Sequence, residues 1–530
     1  MSNRIGQGHG FARCGISPLN SLILTQIINL MIRNIAKAIT GLLLLMLCVA
    51  FWACAQDPNT VVKTRQGYIN GLSENSILVF KGIPYAAPPV GSLRFMPPVA
   101  HSTWTDTLQA TKFGSKAMQS SGGKVTGSED CLFLNVYTPA ADHNKRAVVV
   151  WVHGGSMTTG SGPGMDGHAF SDHDDIVTVT INYRLGVFGF MYLGDIDKRY
   201  AASANNGVLD CIMALKWIKE NIASFGGDPG RVTIMGESAG AKLISAVLCA
   251  PGSKGLYQQY IAESGSVQCI RDTVTAKNER LRILQSTNPA EKDSRALLDL
   301  SADSLMKLQV KAASGVSATS FFGPVIDGVV IKNDPYQYAA GNKLPKIKAL
   351  IGTNKTEASL FIAMDSRYKN PDSLLLKEMF GDDYPMVYKS YAEWSKTLSP
   401  GDAAVKTLTE YMYEMHSYRW AKALSQQGIP VWMYRFDYAA GRLGPAHGAE
   451  LAFIWVNTSK EINELARSMH EAWVAFIKTG DPNTSSLPHW PNYNAASKQI
   501  MVFNDKSDVV SLTDVFDDKD FPSSVFVLKK

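Results

Sequence analysis

The sequence predicts an α/β fold: a large, mostly parallel central sheet flanked by helices, with helical insertions over one end. Three observations carry this. Ala147–Val152 (AVVVWV) and Ile176–Ile181 (IVTVTI) are unbroken apolar runs rich in β-branched residues, the pattern of strands buried on both faces. Asn206–Ala223 places Val208, Leu209, Ile212, Leu215, Ile218 and Ile222 on one face of an amphipathic helix. Beyond Gln56, such strand-like and helix-like segments alternate without repeats or low-complexity linkers, the order that builds parallel sheets.

Residues 1–55 read as an address and not as part of that fold. They contain no Asp or Glu. After Met31, an alternative start, Arg33 and Lys37 supply a basic region, Leu42–Ala53 an apolar run, and Ala53-Cys54-Ala55 a small-x-small cleavage site. The run is about a dozen residues, short of the roughly 20 that span a bilayer. The expectation is export to the periplasm or medium, with no integral membrane span after processing. Phe51-Trp52-Ala53-Cys54 is close to a lipobox, so a lipid anchor on Cys54 stays open as the alternative. Bulky Trp52 argues against it.

Removing this leader also changes the composition. The 530-residue chain carries a formal +5. The leader holds four basic residues (Arg4, Arg13, Arg33, Lys37) and no acid, so +5 becomes +1. A nearly neutral chain lacks the concentrated basic patch of a nucleic-acid binder. Of seven cysteines, four remain (Cys131, Cys211, Cys249, Cys269), too few for a disulfide scaffold and without zinc spacing. Residues 56–530 read as a single domain, with the more polar, helix-prone stretches 271–346 and 365–425 as insertions over the core sheet.

Val232–Met235 is predicted as a short strand and Ala239–Leu248 as a helix. Between them lies Gly236-Glu237-Ser238-Ala239-Gly240. A GxSxG pattern in this strand–turn–helix context makes a tight elbow that lifts the serine hydroxyl above the sheet, at the positive end of a helix. His153-Gly154-Gly155-Ser156 directly follows the strand VVVWV. Glycines there let backbone N–H groups approach a substrate oxygen. The bland reading of each motif alone is an ordinary glycine turn. Their succession about 80 residues apart weighs against it.

Further segments carry a resemblance. Phe80-Lys81-Gly82-Ile83-Pro84-Tyr85-Ala86, Ser128–Val136 (SEDCLFLNV), Asn182-Tyr183-Arg184, Phe225-Gly226-Gly227-Asp228-Pro229, His447-Gly448-Ala449-Glu450-Leu451 and Thr479-Gly480-Asp481-Pro482-Asn483 occur in this order around the elbow. Together they resemble the type-B carboxylesterases, the α/β-hydrolase branch that includes cholinesterases and para-nitrobenzyl esterase-like enzymes. The resemblance implies an α/β-hydrolase fold and a serine carboxylic-ester hydrolase working through an acyl-enzyme. It implies Ser238 as nucleophile, His447 as general base and acid, and Glu357 as the orienting acid, in the chain order Ser, acid, His. The implied oxyanion donors are the backbone N–H groups of Gly155, Ser156 and Ala239. The partner implied is a small-molecule ester, with no cofactor and no metal. Oligomeric state is not specified.

Other hypotheses stand beside this one. The same fold has catalytically silent binding relatives, and the same site could hydrolyse amides, carbamates or lactones. Asp327 in Val325-Ile326-Asp327-Gly328 rivals Glu357 as the acid. Thr356 and Ala358 depart from the family's residues around Glu357, and Met157 replaces an aromatic. Two readings stand for Glu237 and Ser264: Glu237 tuning the field beside the serine and Ser264 hydrogen-bonding behind it, or a purely structural role, which carries at least equal weight. Arg94 and Glu129 resemble a family ion pair that supports the fold.

Asp166, His168, Asp172, His173, Asp174 and Asp175 fit no metal spacing and are expected to be solvated loop residues. His101, His143, His416, His470 and His489 read as surface or packing residues. Cys249 and Cys269 could pair, but buried thiols are expected for all four remaining cysteines. Asn354, Asn457 and Asn483 open Asn-x-Ser/Thr triplets, read as chance matches.

Overall fold

The computed structural model describes residues 18–54, 60–287, 293–313, 316–341, 344–439, 441–456 and 463–512. The chain divides into two compact units, one up to Asn59 and one from Thr60 onward. In the first, a helix runs from Pro18 to Cys54, straight through Met31, Arg33 and Lys37. Among the described residues no helix is long and apolar enough to cross a membrane. Ala55, the last residue of the predicted cleavage site, lies outside the described residues, as does Asn457.

The second unit is built on an eleven-stranded sheet. Its strands in chain order are β1 (Leu72–Glu74), β2 (Ile77–Pro84), β3 (Phe133–Thr138), β4 (Arg146–Val152), β5 (Val177–Ile181), β6 (Gly227–Glu237), β7 (Gln259–Glu263), β8 (Lys348–Asn354), β9 (Val431–Phe436), β10 (Gln499–Phe503) and β11 (Asp508–Ser511). In space they run β1-β2-β3-β5-β4-β6-β7-β8-β9-β10-β11. From β5 to β10 every neighbour is parallel. The two edges are antiparallel. Predicted strands appear within a residue or so of their expected bounds, except β6. It starts early because Gly227 pairs with Arg146 across a bulge before Val232 resumes the ladder.

The apolar runs are explained by two cores, one on each face. In β4, Val148, Val150 and Val152 enter one core, while Ala147, Val149 and Trp151 enter the other. A strand's side chains alternate between faces, so burial on both leaves no polar position. The principal helices are α1 (Asn206–Asn221), α2 (Ala239–Cys249), α3 (Thr273–Gln285), α4 (Ala302–Ala312), α5 (Ser373–Phe380), α6 (Tyr384–Trp394), α7 (Pro400–Thr409), α8 (Met415–Gln426) and α9 (Glu464–Thr479). α1 and α2 cover the first face through Val208, Leu215, Leu243 and Val247. α9 covers the second through Met469, Trp473 and Phe476. Helices of the 365–425 insertion close a core of their own around Phe361, Leu376, Phe380, Val387 and Leu408.

Arg184 locks the end of β5 to α1. Its guanidinium donates to both carboxylate oxygens of Asp210 at 2.7 and 2.9 Å, and its own N–H donates to Asp210 at 3.0 Å. Both side chains are almost fully buried. Removing one partner of such a pair strands a charge, a cost of about 3–5 kcal/mol. The expected pair of Arg94 with Glu129 is present, with bonds of 2.7 and 2.5 Å.

Two expectations about polar and sulfur residues meet the structure differently. Cys131, Cys211, Cys249 and Cys269 are all free and buried. The Asp/His-rich stretch is not a solvated loop throughout. His168 and Asp172 bond each other at 2.7 Å and are largely buried, Asp174 meets buried His470 at 2.9 Å, and Asp175 pairs with Arg146. The reason is local: residues His168–Ser171 form a helical turn that packs under β5, drawing this acidic stretch onto partners elsewhere in the chain. No group of three or more His, Cys, Asp or Glu suited to a metal occurs among the described residues.

Candidate active site

The elbow forms where β6 gives way to α2. Ser238 sits between them at φ 55° and ψ −119°, a conformation L-residues rarely adopt and which marks stored strain. Its flanking glycines are sterically required. A Cβ on Gly240 would lie 2.0 Å from the Val152 carbonyl oxygen of β4, and one on Gly236 would lie 2.7 Å from the Gly240 backbone. The strained turn is held by the Ser238 N–H donating to the Glu263 carbonyl at 2.9 Å and the Lys242 N–H donating to the Ser238 carbonyl at 3.0 Å.

Leaving β4, the His153–Ser156 loop lies against this elbow. A Cβ on Gly154 would stand 3.2 Å from the Ser238 Cβ. Gly155, Ser156 and Met157 all have positive φ (102°, 58° and 57°). Turns of this kind can build anion-binding concavities from backbone N–H groups, and the Gly155 carbonyl accepts from the Thr158 and Thr159 N–H groups, each at 3.0 Å. His153 is not a titrating participant: burial pushes its pKa down to about 4, and its ring stacks on Tyr183 at 4.4 Å.

Glu357 and His447 arrive from the ends of β8 and β9. His447 Nε2 is 2.8 Å from the Ser238 hydroxyl, and His447 Nδ1 is 2.6 Å from Glu357 Oε2. Glu357 is fully buried, and its Oε1 accepts from the Asn354 N–H at 2.7 Å. Asp327 lies elsewhere. Its Oδ1 accepts the N–H groups of Val329 and Val330 at 2.9 and 2.8 Å, and its Oδ2 accepts from Asn205 at 2.8 Å. It closes a turn.

Around these three stands a ring of buried groups, of which the sequence pointed to Glu237 and Ser264 but not to Glu450 or Tyr413. Glu237 Oε1 is 3.3 Å from His447 Nε2. Glu450 accepts from the Asn354 side chain and from the Ser264 hydroxyl at 3.4 Å. Asn354 is therefore a fully buried site residue, closed to glycosylation. Tyr413 comes from a π-helical turn, Glu410–Glu414, between α7 and α8, an irregularity frequent at functional sites. Its ring packs on His447 at 4.7 Å and on Phe361 at 5.9 Å. Glu450 was legible only as part of the HGAEL match. For Tyr413 no signal existed, because a π-turn has no distinctive composition.

These carboxyls set the histidine's charge. Burial alone lowers the His447 pKa, but the charges of Glu237 and Glu357, with the Glu357 hydrogen bond, overcome it and hold the pKa above its ordinary value. Burial raises Glu237, with Glu357's charge pushing the same way. Burial and the Glu237 and Glu357 charges push Glu450 up to about 8. The charges of Glu237 and Glu357 favour an imidazolium when it forms, whereas Glu450, pushed up to about 8, is held mostly protonated at neutral pH.

An eleven-stranded doubly covered sheet, a serine on a strained strand-to-helix elbow, and an acid and a histidine from later strand ends together define an α/β-hydrolase. Comparison with known proteins narrows this. A model of the carboxylesterase family matches residues 58–516. The chain is 34% identical over 472 residues to para-nitrobenzyl esterase of Bacillus subtilis (strain 168), covering 84% of this chain and 94% of that protein. It is 31% identical over 519 residues to carboxylesterase 1D of Rattus norvegicus, covering 85% and 90%. Among solved structures, a Geobacillus stearothermophilus carboxylesterase at pH 6.2 superposes with a TM-score of 0.77 at 38% identity, covering 86% of this chain and 98% of that one. The chain belongs to the carboxylesterase family, and it is an ester hydrolase.

Proposed function

We propose that this enzyme hydrolyses small carboxylic esters through an acyl-enzyme on Ser238, with His447 as general base and acid, Glu357 as the orienting acid, and the amides of Gly155, Ser156 and Ala239 as the oxyanion hole. The observation that carries it is the continuous chain of contacts from Ser238 through His447 to Glu357, at 2.8 and 2.6 Å. A serine hydroxyl is a poor nucleophile near neutral pH and needs a base within hydrogen-bond reach. As Oγ bonds to the ester carbon, His447 Nε2 takes its proton, and the carbonyl oxygen becomes an oxyanion facing the loop and helix amides. Collapse breaks the ester bond, and the alkoxide leaves with the proton from His447. Water then adds to the acyl-enzyme with the same proton transfers in reverse order, releasing the acid and restoring Ser238. Each oxyanion donor is worth about 2.7–4 kcal/mol in such sites.

A fluorophosphonate is expected to label Ser238 stoichiometrically in the folded enzyme, read by peptide mass spectrometry. Label on another residue, or none, would remove Ser238 from the role.

The pH dependence follows from the histidine's surroundings. Nε2 must be unprotonated to accept from Ser238, so kcat/KM rises with pH through the His447 pKa. That pKa lies above the ordinary value of about 6.5, so the rising limb is expected above pH ~6.5. Glu237→Gln deletes the larger of the charges that raise it and should shift the limb to lower pH. An unmoved limb, or a shift upward, would contradict the electrostatic assignment.

We also infer that residues 1–55 are removed on export. The basic, apolar and small-residue segments support that reading, and sequencing the mature N-terminus decides it.

A further inference from the structure

α2 is buried along its whole length, yet it carries a lysine one turn beyond Ser238. Lys242 is only 6% exposed. Lysines are almost never this buried unless paired. Among the described residues, however, no carboxylate lies within salt-bridge distance of its ammonium, and no hydrogen bond from Nζ is present. The other polar side chain of the helix behaves differently: the Ser245 hydroxyl is satisfied by the Ala241 carbonyl at 2.7 Å and the Tyr260 hydroxyl at 2.5 Å.

What Lys242 does touch places it at the site. Its ammonium lies 4.8 Å from the Tyr413 ring centroid, and that ring packs on His447. Its stem runs over Gly265, where a Cβ would fall 3.1 Å from Lys242 Cγ, so the glycine leaves room for it. The aromatic face offsets only part of the lost hydration: burial lowers the Lys242 pKa, with Cys269, Glu237 and Glu357 acting the other way, and the donors of Nζ stay unused on the far side of one ring from His447. The neighbouring carboxyls are already engaged: Glu357 by Asn354 and His447, Glu237 against His447 Nε2.

We propose that Lys242 is a specificity-determining residue whose ammonium receives a carboxylate on the substrate, so that the enzyme prefers esters bearing a negative charge in the acyl or the alcohol half. This rests on the ester-hydrolase mechanism at Ser238. A substrate carboxylate would supply the charge-assisted bond that the protein itself leaves unmade. A neutral ester of the same shape would leave the ammonium with Tyr413 alone.

The test compares kcat/KM for ethyl pentanoate, monoethyl glutarate and the pentanoate ester of glycolic acid, in the full-length enzyme and in Lys242→Met. One of the two charged esters should lose about 10- to 100-fold relative to ethyl pentanoate in the variant. Which of them loses it tells whether the acyl or the alcohol half faces Lys242. Turnover of all three with ratios unchanged by the substitution would overturn the proposal and leave the hydrolase intact. Absence of turnover on every ester by the unmodified enzyme would instead bring down the mechanism on which it rests. A second measurement needs no variant: glutarate should inhibit ethyl pentanoate hydrolysis at least tenfold more strongly than neutral glutaramide. Equal inhibition would overturn the proposal.

Discussion

Replacing Ser238 by alanine is expected to lower kcat on a neutral ester such as ethyl pentanoate by about 10⁶-fold, with the fold intact. The loss is large because every step of the proposed cycle passes through the bond that Oγ makes. What remains should be the modest acceleration, roughly 10³- to 10⁴-fold over water, that oxyanion donors and binding supply without a nucleophile. The fold should tolerate the change. Alanine keeps the Cβ, so the elbow at φ 55° is no more strained than before. The bonds that brace it run through the backbone of Ser238 and are untouched. The protein loses one side-chain hydrogen bond, about 1 kcal/mol. Ester turnover and a thermal melt measured on the same preparation check both halves. A variant that folds normally and retains more than a few per cent of activity would mean that another group attacks the ester.

Glu357→Gln is expected to lower kcat by about 10⁴-fold, the size of the loss when a triad carboxylate becomes an amide. The structure supplies a specific reason. Oε1 of Glu357 accepts the Asn354 N–H at 2.7 Å, so a glutamine must keep its oxygen there and turn its NH₂ toward His447. That NH₂ donates to Nδ1, which forces the ring proton onto Nε2, where it faces Ser238. The histidine is then held in the tautomer that cannot accept the serine proton. Asp327→Asn tests the rival. Its Oδ1 can still accept the turn amides of Val329 and Val330, and activity should stay within a few-fold of the unmodified enzyme. The reverse outcome, a large loss in Asp327→Asn and a small one in Glu357→Gln, would exchange the two assignments.

The contrast between these two acids shows where sequence reading reaches and where it stops. Both follow short apolar stretches and both sit in plausible turns. Their roles separate only through partners far along the chain: Glu357 meets a histidine 90 residues away, and Asp327 an asparagine 122 residues away. Local pattern carries no information about such pairs. The Asp166–Asp175 stretch makes the same point in reverse. Its composition reads as a solvated loop, but partners at Arg146 and His470 bind part of it to the folded surface.

By itself the sequence determined the scaffold and the serine's posture. Strands that must be apolar on both faces announce themselves by unbroken β-branched runs, and the elbow by glycines that backbone crowding makes obligatory. Those constraints are local, acting between residues a few positions apart. Only the tertiary structure decided the electrostatic setting: Glu237 beside His447, Glu450 behind Asn354, the Tyr413 ring on the imidazole, and Lys242 over that ring. That setting arises because β8, β9, α2 and the π-turn converge on one point. A buried charge depends on distances in space, and no spacing along the chain encodes them.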